Sequence, residues 1–157
     1  MLIKTLISLL AIILLTFGCQ QQAVVDVQAE KEAVASVLDN YVKSIVEEDM
    51  ALYAGVMAHD ADMVNFGSFG GPIIGWEALE TLIKGQNDML SGTSIEVSDV
   101  KIHIGPEGSF AWATSLWNMK AMMADKEAQW PVRCTWVLEK RAGGWVIVHF
   151  HKSIAAG

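Results

Sequence analysis

Two histidines near the end of the chain are the residues whose types and spacing most directly suggest chemistry. His149 and His151 lie in segment 143–153, which begins with Gly-Gly and then alternates like a strand. With regular alternation, both imidazoles share a face with Trp145 and Ile147, about 6–7 Å apart. Because imidazole titrates near neutral pH, such a pair could hold a metal or move a proton.

A metal site at this pair would need a third ligand, and no spacing in the sequence supplies one. The obvious candidates are His59, Asp60 and His103, none at a fixed separation from the pair. We therefore predict no metal, and the absence of any cofactor fingerprint predicts no cofactor. His149 is then either a hydrogen-bonded residue near the sheet edge or a ligand-binding residue. We expect His151 to be a catalytic pocket residue that exchanges protons.

Two charged residues beside apolar sequence are further candidates. Arg133 lies in an apolar strand pattern, so a cavity-facing guanidinium would bind a carboxylate or an enolate oxygen. The alternative, compatible with the first, is a structural ion pair with an acidic residue. Asp60, in the sequence His-Asp-Ala-Asp, is either a catalytic general base or a solvated carboxylate in a turn.

Aromatic residues are numerous, with six tryptophans in 157 residues. Most of them must belong to the core. Trp76 opens a predicted helix beside a glycine-rich loop, so we expect it to line the mouth of a cavity. Tyr53 and Trp117 are predicted to be ligand-binding residues with it. A pocket with this composition suits a flat apolar molecule.

The elements that must hold these residues are helices followed by long strands. The predictions are helices at 28–48, 50–57 and 76–90, a short strand at 63–66, and long strands at 95–104, 110–122, 129–141 and 144–153. A change of phase near Ser98-Asp99 predicts a β-bulge. This order predicts an α+β domain whose curved antiparallel sheet wraps around the N-terminal helices and leaves a cavity at its open end.

The first 18 residues have the pattern of a secretory signal. Lys4 supplies the positive start, an apolar run follows, and Gly18-Cys19 resembles the cleavage box of bacterial lipoproteins. The resemblance implies lipidation of Cys19 and, with Gln20 next, an outer-membrane anchor facing the periplasm. The alternative is an ordinary signal cleaved nearby. The domains are then signal 1–18, polar tether 19–28 and a folded domain at 29–157.

The net charge limits the possible binding partners, and the cysteine content limits disulfide pairing. The formal net charge of −7 argues against a nucleic-acid partner, which requires a basic face. If Cys19 carries lipid, Cys134 has no intramolecular partner, and its apolar strand context predicts a small core residue.

Two segments carry a resemblance to a known family. Residues 53–82 resemble the first half of SnoaL-like domains, and residues 132–153 resemble their last hairpin through an Arg-x-Thr…Gly-x-Trp…His-x-His-x-Ser pattern. The chain is thereby similar to the SnoaL-like and DUF4440 group of the nuclear-transport-factor-like, or ketosteroid-isomerase-like, superfamily. The resemblance implies its cone-shaped α+β fold.

The resemblance allows three functions, because this fold hosts enzymes and binding modules alike. The first is binding of a small apolar molecule without chemistry. The second is an isomerase, cyclase or dehydratase acting on a carbonyl compound: Asp60 or His151 moves a proton, and Arg133 or His149 stabilises the oxyanion. The third is a dimerisation or scaffold module, since sheets of this fold often pair face to face. A homodimer is accordingly expected.

Overall fold

The computed structural model describes residues 24–154; the predicted signal and Cys19 lie outside the described residues. The helices are α1 (Val27–Val46), α2 (Met50–Val56) and α3 (Trp76–Met89), and the strands are β1 (Val64–Phe66), β2 (Pro72–Ile74), β3 (Leu90–Ile104), β4 (Phe110–Met123), β5 (Lys126–Arg141) and β6 (Gly144–Ile154). None of the helices within residues 24–154 is long and apolar enough to cross a membrane.

The strands form one six-stranded sheet in the order β2-β1-β6-β5-β4-β3. Helices followed by a sheet confirm the predicted α+β class. The sheet is mixed rather than wholly antiparallel, because β1 runs parallel to β6 at the pair Phe66 and His151. Strand β2 was not predicted. It lies inside the glycine-rich segment, where its three residues are too few to show a period.

Helix α1 fills the inner face of the curved sheet. Asp26 caps its first turn by accepting a hydrogen bond from the backbone N–H of Ala29. Its buried stripe includes Tyr41, whose ring packs against Trp117 and Phe150 with centroids 6.2 and 6.0 Å away. The sheet thus wraps around this helix, and the helix supplies the floor of the space that remains.

Cys134 is buried in this core as a free thiol, which confirms its prediction as a core residue. Burial raises its pKa to about 12. A thiol with that pKa is protonated, and therefore a poor nucleophile, at neutral pH.

Bulges change which residues face inward. The predicted bulge near Ser98-Asp99 is confirmed, because the pairing of β3 with β4 shifts between Ser98 and Lys101. Asp99 adopts a positive φ of 52° there. Such shifts increase the local twist, which helps the sheet curl.

A second bulge, which the sequence analysis did not predict, lies in β6. Ile147 pairs with Leu138 and His149 pairs with Val137, so Val148 has no partner on β5. The extra residue inverts the alternation of every later side chain. The prediction that both histidines share a face with Trp145 and Ile147 is therefore wrong. Phe150 faces inward, and the histidines face the opposite side of the sheet.

Candidate functional site

A cavity of about 310 Å³ lies between α3 and the inner face of the sheet. Its wall is predominantly apolar and includes Ile83, Met119, Trp130, Val132, Phe150 and Ile154. These side chains come from α3 and from strands β4, β5 and β6, so the curvature of the sheet creates the space. The size and apolar lining are those of small-molecule sites in proteins.

The rim of this cavity exposes large apolar side chains to water. Phe69, in the loop between β1 and β2, is 70% exposed, and Leu82, Met89 and Met123 are exposed beside it. An apolar cluster open to solvent at a cavity mouth marks a place where an apolar surface can bind.

Lys152 is the one charged residue among the described residues that line the cavity. It lies opposite Cys134 on the inner face of β6 and is half-buried. Its Nζ atom lies 4.8 Å from the ring centroids of Tyr41 and Trp117 and 4.9 Å from that of Phe150. Three ring faces thus surround an ammonium group at the inner wall.

Removal from water lowers the pKa of Lys152 to about 8, the largest effect on this group. None of the ion pairs within residues 24–154 involves Lys152. Attraction to the ring faces favours the charged form, by about 0.5–2 kcal/mol for such contacts. At pH 7 the cavity therefore presents a positive charge that no carboxylate of the described chain neutralises.

Trp117 contributes its ring to the same wall. Its side chain is 3% exposed and lines the cavity beneath the Lys152 ammonium. The indole nitrogen is itself buried and has no hydrogen-bond partner within residues 24–154, so the cavity meets the ring of Trp117 and not its N–H group.

Arg133, His149 and His151 lie on the outer face of the sheet, away from the cavity. The Nδ1 atom of His149 is 2.5 Å from the backbone carbonyl oxygen of Val64. His151 is exposed and packs against the ring of Phe66 at 5.5 Å. Arg133 is exposed too. Arg133 pairs with Ser153, His151 with Thr135 and His149 with Val137, so the three residues are spaced along one face of β5 and β6, opposite the cavity.

Asp60 is bound in a surface ion pair. The Arg141 guanidinium donates to both of its carboxylate oxygens, at 2.9 and 2.5 Å. These hydrogen bonds hold the pKa of Asp60 below its usual range. Asp60 is not among the residues that line the cavity, so the structure does not bring it together with His151. The ion-pair alternative considered for Arg133 is met by Arg141 instead.

Of the three predicted aromatic ligand contacts, Trp117 lines the cavity and the other two do not. Tyr53 is buried in the core, with its ring centroid 5.3 Å from that of Tyr41. Trp76 stacks on the imidazole of His59 at 4.1 Å. These two aromatic residues support the start of α3 rather than the cavity wall.

Sequence reasoning missed Lys152, the only charged residue found in the described cavity wall. The signal that could have identified it is the inward face of β5, which carries Cys134 and Trp136. Lys152 pairs with Cys134 and Phe150 pairs with Trp136, so both face inward. The unpaired Val148 concealed that register.

Groups of three or more metal-ligating side chains do not occur within residues 24–154. A metal held by His149 and His151 would therefore find no third protein ligand within these residues.

Comparison with known proteins gives a family and a fold. A family model described as a SnoaL-like domain matches residues 34–157. None of the curated proteins matches the chain.

Solved structures share the architecture. A candidate dehydratase of the NTF2-like family from Streptomyces avermitilis is 13% identical with a TM-score of 0.75, covering 83% of this chain and 99% of that chain. A nuclear transport factor 2-like superfamily protein from Salmonella enterica is 22% identical with a TM-score of 0.75, covering 83% and 94%. The CaMKII hub of S. rosetta is 22% identical with a TM-score of 0.67, covering 79% and 95%. At these identities the likeness concerns the fold alone, and it confirms the predicted cone.

Proposed function

The chain belongs to the SnoaL-like domain family, and on that premise we propose that it binds a small apolar molecule in the cavity between α3 and the sheet. The observation that carries this proposal is the cavity itself: about 310 Å³ of space with an apolar wall and an exposed apolar rim. A core that merely packed would have closed this space, because protein interiors are normally dense.

A binding role is favoured over acid–base catalysis by Asp60 or His151, the two residues that the sequence suggested for proton transfer. An enzyme of the second kind needs a proton-transfer residue within reach of one point in its cavity. Asp60 is held by Arg141, and His151 faces the other side of the sheet. The solved structure named as a candidate dehydratase shares only the cone fold with this chain, so it identifies no catalytic residue here.

The test of this proposal is titration with N-phenyl-1-naphthylamine, a neutral apolar dye that fluoresces when it leaves water. We expect saturable binding with one dye per chain, because the cavity has room for one molecule of this kind. Absence of saturable binding would remove the support for a ligand site.

The outer face of the sheet supports a second proposal, a homodimer. Three large apolar side chains of β4 are exposed on this face: Phe110, Trp112 and Leu116. Val137 on β5 lies beside Trp112. Contiguous exposed apolar side chains are typical of protein interfaces. The neighbouring CaMKII hub structure has the same fold, which is compatible with assembly through such a face.

We expect Leu116→Arg to weaken this dimer by about tenfold or more, because it would place an unpaired charge in the interface. Sedimentation velocity over a range of concentrations would measure the change. Ala78→Arg, on the exposed side of α3, is the matched control and should leave the dimer intact. A wild-type chain that stays monomeric at every concentration would contradict the proposal.

A lipid anchor at Cys19 is the third proposal, and it rests on the sequence alone. Several acyl chains on one cysteine would hold the protein on the outer membrane, facing the periplasm. Cys19→Ala should therefore move the protein from the membrane fraction to the soluble fraction of fractionated cells. The control is Cys134→Ala, which removes the other cysteine and should leave the protein on the membrane. Retention of the Cys19→Ala variant would contradict lipidation.

A further inference from the structure

We propose that the ligand of this cavity is an apolar monocarboxylate, with its carboxylate at Lys152 and its apolar body along the cavity wall. This inference rests on the proposed function, because it names the chemical class of the molecule that the cavity binds.

The charge at the inner wall points to an anionic ligand. Lys152 is the only charged residue in the described lining, and it forms no ion pair within residues 24–154. A desolvated ammonium is costly unless an anion or hydrogen-bond acceptors offset the lost water. The rings of Tyr41, Trp117 and Phe150 contribute attraction but accept no strong hydrogen bond. An anionic group on the ligand would supply what these rings lack.

The composition of the lining limits the ligand to a single negative charge. Acidic or further basic residues are missing from the described lining, and the rest of the wall is apolar apart from Ser68, Gln86 and indole groups. A dicarboxylate or a phosphate would bring a second charge with no cation to meet it. The exposed apolar rim, Phe69 with Met89, favours a carbon chain or ring that reaches the mouth.

The charge of Lys152 gives the complex a pH dependence. Its pKa of about 8 keeps the ammonium protonated at pH 7, and an anion beside it would hold the proton to higher pH. The titratable groups facing it are Tyr41 on α1 and Cys134 on β5, and burial raises the pKa of both, so they stay neutral. We therefore expect carboxylate affinity to fall as the pH rises above 8, while the affinity of a neutral probe stays constant.

The experiment uses a matched pair of probes, decanoate and 1-decanol, which compete with N-phenyl-1-naphthylamine for the cavity. The quantity measured is the ratio of their affinities in the wild-type chain and in Lys152→Met. Methionine keeps the length and apolar stem of the side chain and removes its charge. We expect Lys152→Met to lower decanoate affinity by about tenfold or more and to change 1-decanol affinity less than about twofold.

Two further variants keep the result interpretable. Lys152→Gln also removes the charge but keeps a polar group, so it should weaken decanoate severalfold and leave 1-decanol nearly unchanged. Lys101→Met, which replaces an exposed lysine on β3, makes the same change of net charge and should alter neither affinity. If Lys152→Met fails to fold, Lys152→Gln still tests the inference.

The outcomes separate this inference from the proposed function. If the dye and 1-decanol bind but decanoate gains nothing from Lys152, the inference is overturned and the apolar cavity site stands. If decanoate binds equally well to Lys152→Met, the carboxylate lies elsewhere and the inference is again overturned. If the dye and both probes fail to bind the wild-type chain, the proposed function and the inference fall together.

Discussion

Replacement of Lys152 with methionine is expected to raise the free energy of unfolding of the ligand-free protein at pH 7 by about 1–3 kcal/mol. The native state keeps an ammonium among three aromatic rings, and this desolvation lowers its pKa from 10.5 to about 8. A shift of this size corresponds to about 3 kcal/mol. Attraction between the ammonium and the rings offsets part of that cost, which sets the lower end of the range.

The effect has a definite pH dependence. Below pH 8 the lysine is protonated in both the folded and unfolded chains, so the destabilisation by the buried charge is present in full. Between about 8 and 10.5 the unfolded chain binds more protons than the folded chain, so the stability contributed by this site rises with pH. Above 10.5 both forms are neutral. The difference between Lys152→Met and wild type should therefore shrink as the pH increases from 8 towards 10.5.

Urea unfolding followed by tryptophan fluorescence, at several pH values from 7 to 10, measures this difference. Lys101→Met is the control, because its exposed ammonium keeps contact with water and should give a difference from wild type that does not depend on pH. A Lys152→Met protein that is less stable than wild type at pH 7, or a difference that is constant with pH, would show that this ammonium is not desolvated.

Met119→Trp is expected to abolish most binding of N-phenyl-1-naphthylamine. Met119 is half-buried on β4 and lines the cavity, so a larger ring would occupy the space that the ligand needs. The dye would then lose contacts with the wall comparable to the burial of one apolar side chain. That loss weakens binding by about 1.5–3 kcal/mol, or about ten- to hundredfold. Stability should change little, since the ring enters empty space rather than a packed core.

The control for this variant is Lys120→Trp, which adds the same ring one residue along β4 and on the outer face. It should bind the dye like the wild-type chain. Equal dye binding by Met119→Trp and Lys120→Trp would mean that the dye occupies a site other than this cavity.

The fold was largely predictable because its signals are local and repeat many times. Helix α1 shows its apolar stripe at three- and four-residue spacing, and β4 and β5 alternate between inward and outward residues over much of their length. The bulge in β3 was visible because apolar residues change sides at Ser98-Asp99. Strand β2 was not visible, because three residues in a glycine-rich segment carry no period.

The cavity and its lining residue Trp117 were predicted from the sequence, but the facing of the last β6 residues was not, because it depends on one unpaired residue. Both faces of β6 are apolar around Val148, so the bulge there leaves no mark in the pattern. Its effect is large: it turns His149 and His151 outward and Lys152 inward. The two histidines and Arg133, which the sequence favoured as pocket residues, therefore lie on the outer face, while Lys152, which the sequence did not single out, lies in the cavity wall.

The measurement that tests the account most directly is a crystal structure of the protein with decanoate bound. The account predicts decanoate in the cavity, with its chain along Val132 and Phe150 and its carboxylate within hydrogen-bond distance of the Nζ atom of Lys152. Decanoate bound instead on the outer face, with its carboxylate at Arg133 and His151, would contradict the account and restore the site expected from the sequence.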